Sequence, residues 1–165
     1  MHRGVICINS SISVPFRHSN LGRVEFTVNV MTSDRKSFKA VDFKLDSGSD
    51  FTTLSGEDLQ NLGFARDFLR SCPLYSFRVS TASKEIRLRY MDNISIKFGE
   101  REIQNCRIFF TLDAPLRSLF GSDILKYFNW SVNYDTRLFR LDKAKSAPLL
   151  SPGEEALQIY SVETK

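Results

Sequence analysis

The stretch Val41-Asp-Phe-Lys-Leu-Asp-Ser-Gly-Ser-Asp-Phe-Thr-Thr-Leu54 decides the interpretation of the rest of the chain. A β-rich apolar run ends at Asp46, and a hydroxyl residue and a glycine, Ser47 and Gly48, follow it. This order predicts a carboxylate that is held by its own backbone where the chain turns sharply. Asp46 is therefore the first candidate for a catalytic acid.

Length and composition limit the classes of protein to consider. The chain has 165 residues, of which 42% are apolar and 12% aromatic, which suits one packed domain with tails better than two domains. The net charge is +4, but the lysines and arginines are scattered through strand-like segments instead of forming one basic stripe. We therefore expect no nucleic-acid partner.

The cysteines and histidines do not suggest a metal site. Cys7, Cys72 and Cys106 are odd in number and lack metal-ligand spacing, and His2 and His18 lie in the irregular N-terminal region. We expect no disulfide framework and no cofactor, with the cysteines acting as small buried apolar side chains in a reducing compartment. No apolar run approaches membrane-spanning length, so we expect a cytoplasmic protein without a membrane partner.

Alternation of apolar and polar residues predicts a chain made mostly of antiparallel strands. Two short helices are predicted, one at about Gly56 to Leu62 with Ser55 as its N-cap, and one at Ser122 to Phe128. The predicted strands lie at 24–30, 38–45, 93–98, 103–112, 132–134 and 138–141, with a further hairpin over 76–90. The predicted fold class is all-β, mostly antiparallel, with one or two short helices.

The chain divides into three parts. Residues 1–20 mix short apolar pieces with polar residues, and Pro15 would limit any strand there to a sheet edge, so we predict an N-terminal arm outside the core. Residues 21–141 form the predicted domain. Residues 142–165 are rich in Lys, Ser, Pro and Glu and are predicted to be a loosely held tail, in which 157–162 could dock on the domain.

Two segments of the domain resemble a known family. Phe43-Lys-Leu-Asp-Ser-Gly-Ser-Asp50 resembles the apolar-Asp-Thr/Ser-Gly-Ala/Ser motif of aspartic proteases, and Leu119-Phe-Gly-Ser-Asp-Ile-Leu125 resembles the apolar-apolar-Gly segment before the C-terminal helix of the retropepsin-like half. The resemblance covers roughly Leu21 to Leu141, and the hairpin over 76–90 falls where the family has its flap. It implies a retropepsin-like acid-protease half-barrel.

The resemblance also implies an activity, hydrolysis of peptide bonds in an extended peptide or protein. Two carboxylates held close together share one proton, so that one acts as a base toward water and the other as an acid toward the carbonyl oxygen. The chain has a single Asp-Ser/Thr-Gly, since Asp113-Ala-Pro and Asp135-Thr-Arg lack the glycine. The catalytic pair is therefore expected from a homodimer, with one Asp46 in each chain.

The family motif assigns roles to the residues around Asp46. Ser47 would bond across the dimer axis, Gly48 would present its carbonyl to the substrate backbone, and Asp50 would hold the substrate main chain. A turn or helix-approach acid is an equally good interpretation of Asp50. The flap tip would supply the remaining substrate-binding residues, Ser80, Thr81, Ala82 and Ser83. Neighbouring Leu, Val and Ile residues favour apolar substrate side chains beside the cut.

Two departures from the family pattern keep a second hypothesis open. The predicted flap tip contains no glycine, and Ser122 stands where retroviral members have an arginine that braces the dimer. The alternative is a retropepsin-like binding or dimerisation module without hydrolysis, in which Asp46-Ser47-Gly48 is a structural turn. A barrel that binds nucleic acid is disfavoured because aromatic platforms with interleaved basic residues are missing from the strand patterns.

Overall fold

The computed structural model describes residues 11–80, 84–143 and 158–161. The strands within these residues are β1 (Ile12–His18), β2 (Val24–Met31), β3 (Phe38–Leu45), β4 (Leu74–Ser80), β5 (Glu85–Phe98), β6 (Arg101–Phe110), β7 (Leu119–Phe120), β8 (Phe128–Asn133), β9 (Leu138–Lys143) and β10 (Gln158–Ser161). The helices are α1 (Gly56–Asn61), α2 (Arg66–Ser71) and α3 (Ser122–Leu125). The predicted fold class, mostly antiparallel β, is confirmed.

The described strands form one connected sheet. Its main path runs β10, β6, β5, β2, β1, β9, β8, while β3 pairs with β2 and β7, and β4 pairs with β5. Each of these pairings is antiparallel except that of β3 with β7, which is parallel. The single parallel pairing matters most for the candidate site, because it joins two segments that are far apart in sequence.

The β2–β3 hairpin determines the position of Asp46. Alternate residues of β2 are buried, as the sequence pattern predicted. Arg35 takes the left-handed backbone conformation (φ 59°) in the turn, and the ladder then runs in register from Met31 opposite Phe38 to Glu25 opposite Lys44. The regular ladder fixes which face of β3 each side chain occupies, and the strand ends one residue before Asp46.

The N-terminal segment differs from the predicted arm. Ile12, Val14 and Phe16 of β1 are buried in the core, and β1 lies between β2 and β9 instead of at a sheet edge. Pro15 is tolerated there because the two ladders use different parts of the strand: β9 pairs with residues 12–15 and β2 with residues 16–18. The expectation that Pro15 confines the strand to an edge was therefore wrong.

The long strand β5 replaces two shorter predicted ones. Asn93 has a φ of 59°, and the register of β5 with β6 shifts between Met91 and Ile94. The interruption in the sequence pattern is thus an irregularity within one strand and does not end it.

The helices agree with the sequence only in part. Helix α1 begins as predicted, since the Asp58 N–H donates to Ser55 Oγ at 3.1 Å. Helix α3 ends at Leu125, earlier than predicted, because the chain enters β8 at Phe128. Helix α2 was not predicted; its N-cap, Ala65, makes no side-chain hydrogen bond.

The core beneath the site is aromatic. Phe26 and Phe120 contact each other at 5.4 Å between ring centroids, and both are fully buried. Phe43, Phe98 and Phe139 complete the cluster around them. This cluster packs Phe43 of β3 against Phe120 of β7. The ends of both strands, which lead into the two sequence motifs, are therefore held in position by the core.

The C-terminal segment returns to the sheet. Strand β10 pairs with β6, with Gln158 opposite Gln104 and Ser161 opposite Arg101. This pairing falls within residues 157–162, where docking was predicted. No helix in the described parts of the chain is long and apolar enough to cross a lipid bilayer.

Candidate active site

The parallel pairing of β3 with β7 brings the two sequence motifs together. Leu45 lies opposite Phe120 in the register, and the Asp46 N–H donates to the Phe120 carbonyl oxygen at 3.0 Å. Two residues before Asp46, the Lys44 N–H donates to the Ser118 carbonyl oxygen at 3.0 Å. Asp46 therefore leaves the sheet from a point that the second motif fixes.

The loop after β3 turns back on Asp46. The Gly48 N–H donates to Asp46 Oδ1 at 3.2 Å, and the Ser49 N–H donates to the Asp46 carbonyl oxygen at 3.1 Å. The Asp46 side chain nevertheless keeps 30% of its surface exposed. The carboxylate is thus oriented by its own backbone, as the sequence predicted, and still open to solvent.

Thr52 and Asp123 lock this loop to the second motif. The Thr52 hydroxyl donates to Asp123 Oδ1 at 2.6 Å, and the Thr52 N–H donates to Asp123 Oδ2 at 3.0 Å. Thr52 Oγ1 also accepts the Gly121 N–H at 3.1 Å. Thr52 is fully buried, so each of these polar groups depends on the others for its hydrogen bonds.

Gly121 lies against the backbone of the loop. A Cβ at this position would stand 2.4 Å from the Phe51 carbonyl oxygen and 2.9 Å from that of Ser49. The next residue, Ser122, donates its N–H to the Ser49 carbonyl oxygen at 2.8 Å. The second motif therefore needs a glycine for a close backbone approach within the chain itself.

The sequence analysis placed Asp123 within the second predicted helix and assigned it no contact. Burial raises the pKa of the Asp123 carboxyl above its usual value of 3.8, while hydrogen bonds from Thr52 and from the Ile124 N–H oppose the rise. An acid directly after the Gly-Ser of the second motif was visible in the sequence. Its partner was not, because Thr52 lies 71 residues away.

Lys44 was also missed. Its ammonium nitrogen lies 3.5 Å from Asp46 Oδ2, and 24% of its side chain is exposed. Lys44 and Asp46 are two residues apart at the end of a strand, so they share a face, while Phe43 points into the core. Alternation around Asp46 could have indicated this pair, but it was used only to place the strand.

The structure describes some of the other residues assigned to the site. Ser47 and Asp50 are exposed, and the roles proposed for them remain predictions. Ser80 ends β4 and lies opposite Glu85 in the β4–β5 hairpin, which is the predicted flap. Thr81, Ala82 and Ser83 lie outside the described residues. In the part of the chain that the structure describes, no group of three or more His, Cys, Asp or Glu side chains could hold a metal ion.

Solved structures similar to this chain include a protease. A retropepsin-like aspartic protease from Rickettsia conorii superposes with a TM-score of 0.54 and 24% sequence identity, over 80% of this chain and 89% of that one. No family model and no curated protein sequence matches the chain. The antiparallel sheet, the parallel β3–β7 contact and this structural likeness together show that the chain has the retropepsin-like fold.

Proposed function

We propose that the chain is an aspartic endopeptidase that acts as a homodimer, with one Asp46 from each chain in a shared site. The observation that carries the proposal is the state of Asp46: its carboxylate accepts a hydrogen bond from the Gly48 N–H but remains partly exposed. Thr52 and Asp123 fix the loop from its buried side. A rigidly oriented, accessible carboxylate is what water activation needs.

The reaction uses the two carboxylates as an acid and a base. With one proton shared between them, the ionised carboxylate removes a proton from water, and the water oxygen adds to the scissile carbonyl carbon. The protonated carboxyl gives its proton to the carbonyl oxygen. When the tetrahedral gem-diol collapses, the C–N bond breaks as the protonated carboxyl gives its proton to the leaving nitrogen. The ionised carboxylate takes a proton from one diol hydroxyl, which becomes the carbonyl oxygen of the product acid, so the pair is again singly protonated. This titration belongs to the pair and not to either Asp46 alone.

The glycine at position 48 is consistent with a substrate or a second copy of the chain packing against this loop. A Cβ on Gly48 would meet Asp46 Oδ1 at 3.5 Å, an ordinary contact, and its φ lies outside the left-handed region. The chain by itself therefore sets no steric requirement for glycine here. A substrate backbone or a facing copy of the loop would supply that requirement.

Exposed groups around Asp46 suit an extended peptide. We assign the Gly48 carbonyl and Asp50 to the substrate main chain, and Ser47 to the contact across the dimer axis. The flap residues Ser80, Thr81, Ala82 and Ser83 would cover the peptide from the other side by adding backbone hydrogen bonds.

Cleavage of peptides tests the proposal directly. The purified protein is incubated with an unfolded protein and with a peptide library from about pH 4 to 7, with and without the transition-state mimic pepstatin. We expect cleavage that pepstatin blocks and that Asp46→Asn abolishes. Asp135→Asn, in an exposed turn outside the site, is the matched control and should cleave like the parent protein.

The shared site is tested by mixing. Asp46→Asn protein is added in increasing excess to the parent protein under conditions in which subunits exchange. Mixed dimers hold one Asp46 each, so activity should fall as parent chains are diluted into them, and activity per chain should rise with total concentration. Undiminished cleavage in the mixture, or full activity from a monomer, would contradict the shared site. Cleavage by Asp46→Asn protein itself would contradict the mechanism.

A further inference from the structure

A cation stands beside the candidate catalytic carboxylate. Lys44 Nζ lies 3.5 Å from Asp46 Oδ2, with both side chains partly buried. Asp42 and Lys44 lie on one face of β3, and Arg17 binds Asp42 at 3.0 Å. The lysine therefore has Asp46 as its ion-pair partner, next to the place where a peptide bond would react.

Lys44 lies close enough to Asp46 to contact a substrate bound there. A water or carbonyl oxygen in reaction must lie within hydrogen-bond reach of the Asp46 carboxylate, about 2.6–3.2 Å. Adding the measured separation of Lys44 from that carboxylate puts the ammonium group within about 7 Å of the reacting carbonyl. A carboxylate on a side chain adjoining the cut can span this gap.

The charges at the site indicate which substrate side chains Lys44 would favour. Two chains bring two Lys44 ammonium groups to the site, whereas two Asp46 carboxylates that share one proton carry a single negative charge. Asp50, the other carboxylate assigned to the site, is exposed and forms no ion pair with Lys44 in the described part of the chain. The two ammonium groups therefore exceed the negative charge of the pair that they contact, and a substrate carboxylate beside them gains a charge-assisted hydrogen bond. An apolar side chain at the same position would leave the second ammonium group without a partner.

We propose that Lys44 is a specificity-determining residue that selects substrates with an acidic side chain, Asp or Glu, next to the scissile bond. This inference rests on the proposed peptidase function and refines it. It replaces the sequence-based expectation that apolar side chains flank the cut on both sides.

The test compares paired peptides. A peptide cleaved in the library is resynthesised with Glu or with its neutral isostere Gln on each side of the cut, and kcat/KM is measured for both. We expect the parent protein to favour Glu over Gln by roughly tenfold at one of these positions. The preference should shrink as salt is raised, because an ion pair in a solvent-accessible cleft is screened.

Variants of Lys44 identify the source of the preference. Lys44→Met should reduce the ratio of Glu to Gln cleavage to near one, and Lys44→Arg should keep it above one. Lys36→Met is the matched control: it removes the same charge at the exposed turn at the other end of β3 and should leave the ratio unchanged.

The outcomes separate the two proposals. Cleavage with a ratio near one in the parent protein, or with a ratio that Lys44→Met does not change, overturns the role of Lys44 and leaves the peptidase standing. If Lys44→Met does not fold, the salt dependence of the parent ratio decides, and a ratio insensitive to salt overturns the role. Absence of cleavage of every peptide overturns the peptidase and this inference with it.

Discussion

Two short loops in this molecule each contain a glycine, and the two glycines differ in what surrounds them. In the loop from Asp46 to Asp50, a Cβ on Gly48 would make only an ordinary contact. In the segment from Leu119 to Asp123, a Cβ on Gly121 would collide with backbone oxygens. The fold requires a glycine at position 121, whereas nothing in the described part of the chain sets a steric requirement for glycine at position 48. Substitutions in the two loops should therefore affect stability very differently.

Gly121→Ala should have the largest effect. The added Cβ would lie 2.4 Å from a backbone oxygen that cannot rotate away, so either the loop or α3 must move. We expect a loss of more than about 3 kcal/mol in the free energy of unfolding, or failure to fold. Urea unfolding followed by tryptophan fluorescence and circular dichroism measures the loss. A change below about 1 kcal/mol would show that the close approach is relaxed in solution.

Thr52→Val should come next. It keeps the shape of the side chain but leaves Asp123 Oδ1 and the Gly121 N–H without the hydroxyl that now bonds to both. We expect a loss of about 2–3 kcal/mol in the free energy of unfolding, since buried polar groups lose their partner. Thr27→Val is the matched control, because the Thr27 hydroxyl bonds at an exposed site and water can replace it. Equal losses in the two variants would contradict the locking role of Thr52.

Asp123→Asn should change how stability depends on pH. Burial raises the pKa of Asp123 in the folded chain, so between pH 3.8 and that raised pKa the folded state binds more protons than the unfolded state. The contribution of Asp123 to stability is therefore fully present below 3.8 and is lost as pH rises through the folded pKa. The free energy of unfolding of the parent protein minus that of the variant should decrease as pH rises through this window. Unfolding curves for both proteins across that range measure it, and a flat or rising difference would contradict the direction of the shift.

Gly48→Ala should have the smallest effect on stability and a clear effect on activity. The Cβ fits beside Asp46 Oδ1, so we expect the free energy of unfolding to change by less than about 0.5 kcal/mol. Under the proposed function, the methyl group obstructs the substrate or the facing loop, and kcat/KM should fall by about tenfold or more. Unfolding and cleavage are measured on the same sample. If the variant were as active as the parent protein, the proposal that a substrate or a facing loop packs against Gly48 would be contradicted.

The sequence predicted the parts of this structure that depend on neighbours along the chain. The turn after Asp46, the cap at Ser55 and the β2–β3 hairpin each follow from a few adjacent residues, whose local preferences agree with the fold. The position of β1 in the sheet was predicted wrongly because of Pro15. This proline is tolerated in an interior strand because β9 pairs with the first half of β1 and β2 with the second half. That arrangement is a property of the whole sheet and leaves no local signal.

The candidate site divides in the same way. Asp46 and its Ser-Gly turn could be predicted from a motif, and the roles of Ser47, Asp50 and the flap residues remain predictions. Asp123 could not be assigned, because its carboxylate and the Thr52 hydroxyl meet only after folding. Lys44 was visible two residues before Asp46, but the sequence does not show that its ammonium nitrogen lies 3.5 Å from Asp46 Oδ2. Site residues whose partners are brought together only by the fold could not be assigned from neighbouring residues in the sequence.

The hydrogen bond from the Asp46 N–H to the Phe120 carbonyl oxygen has a consequence for the order of events in synthesis. The residues that hold the candidate catalytic loop leave the ribosome long after the loop itself, since Asp123 follows Thr52 by 71 positions. A nascent chain that has not yet reached β7 lacks the partners of Asp46 and Thr52 in the second motif. Contacts between residues so far apart in sequence form slowly in folding. The loop is therefore among the last parts of the molecule to acquire its final geometry, so a partly made chain would carry Asp46 and its Ser-Gly turn without the contacts that hold the loop to the second motif.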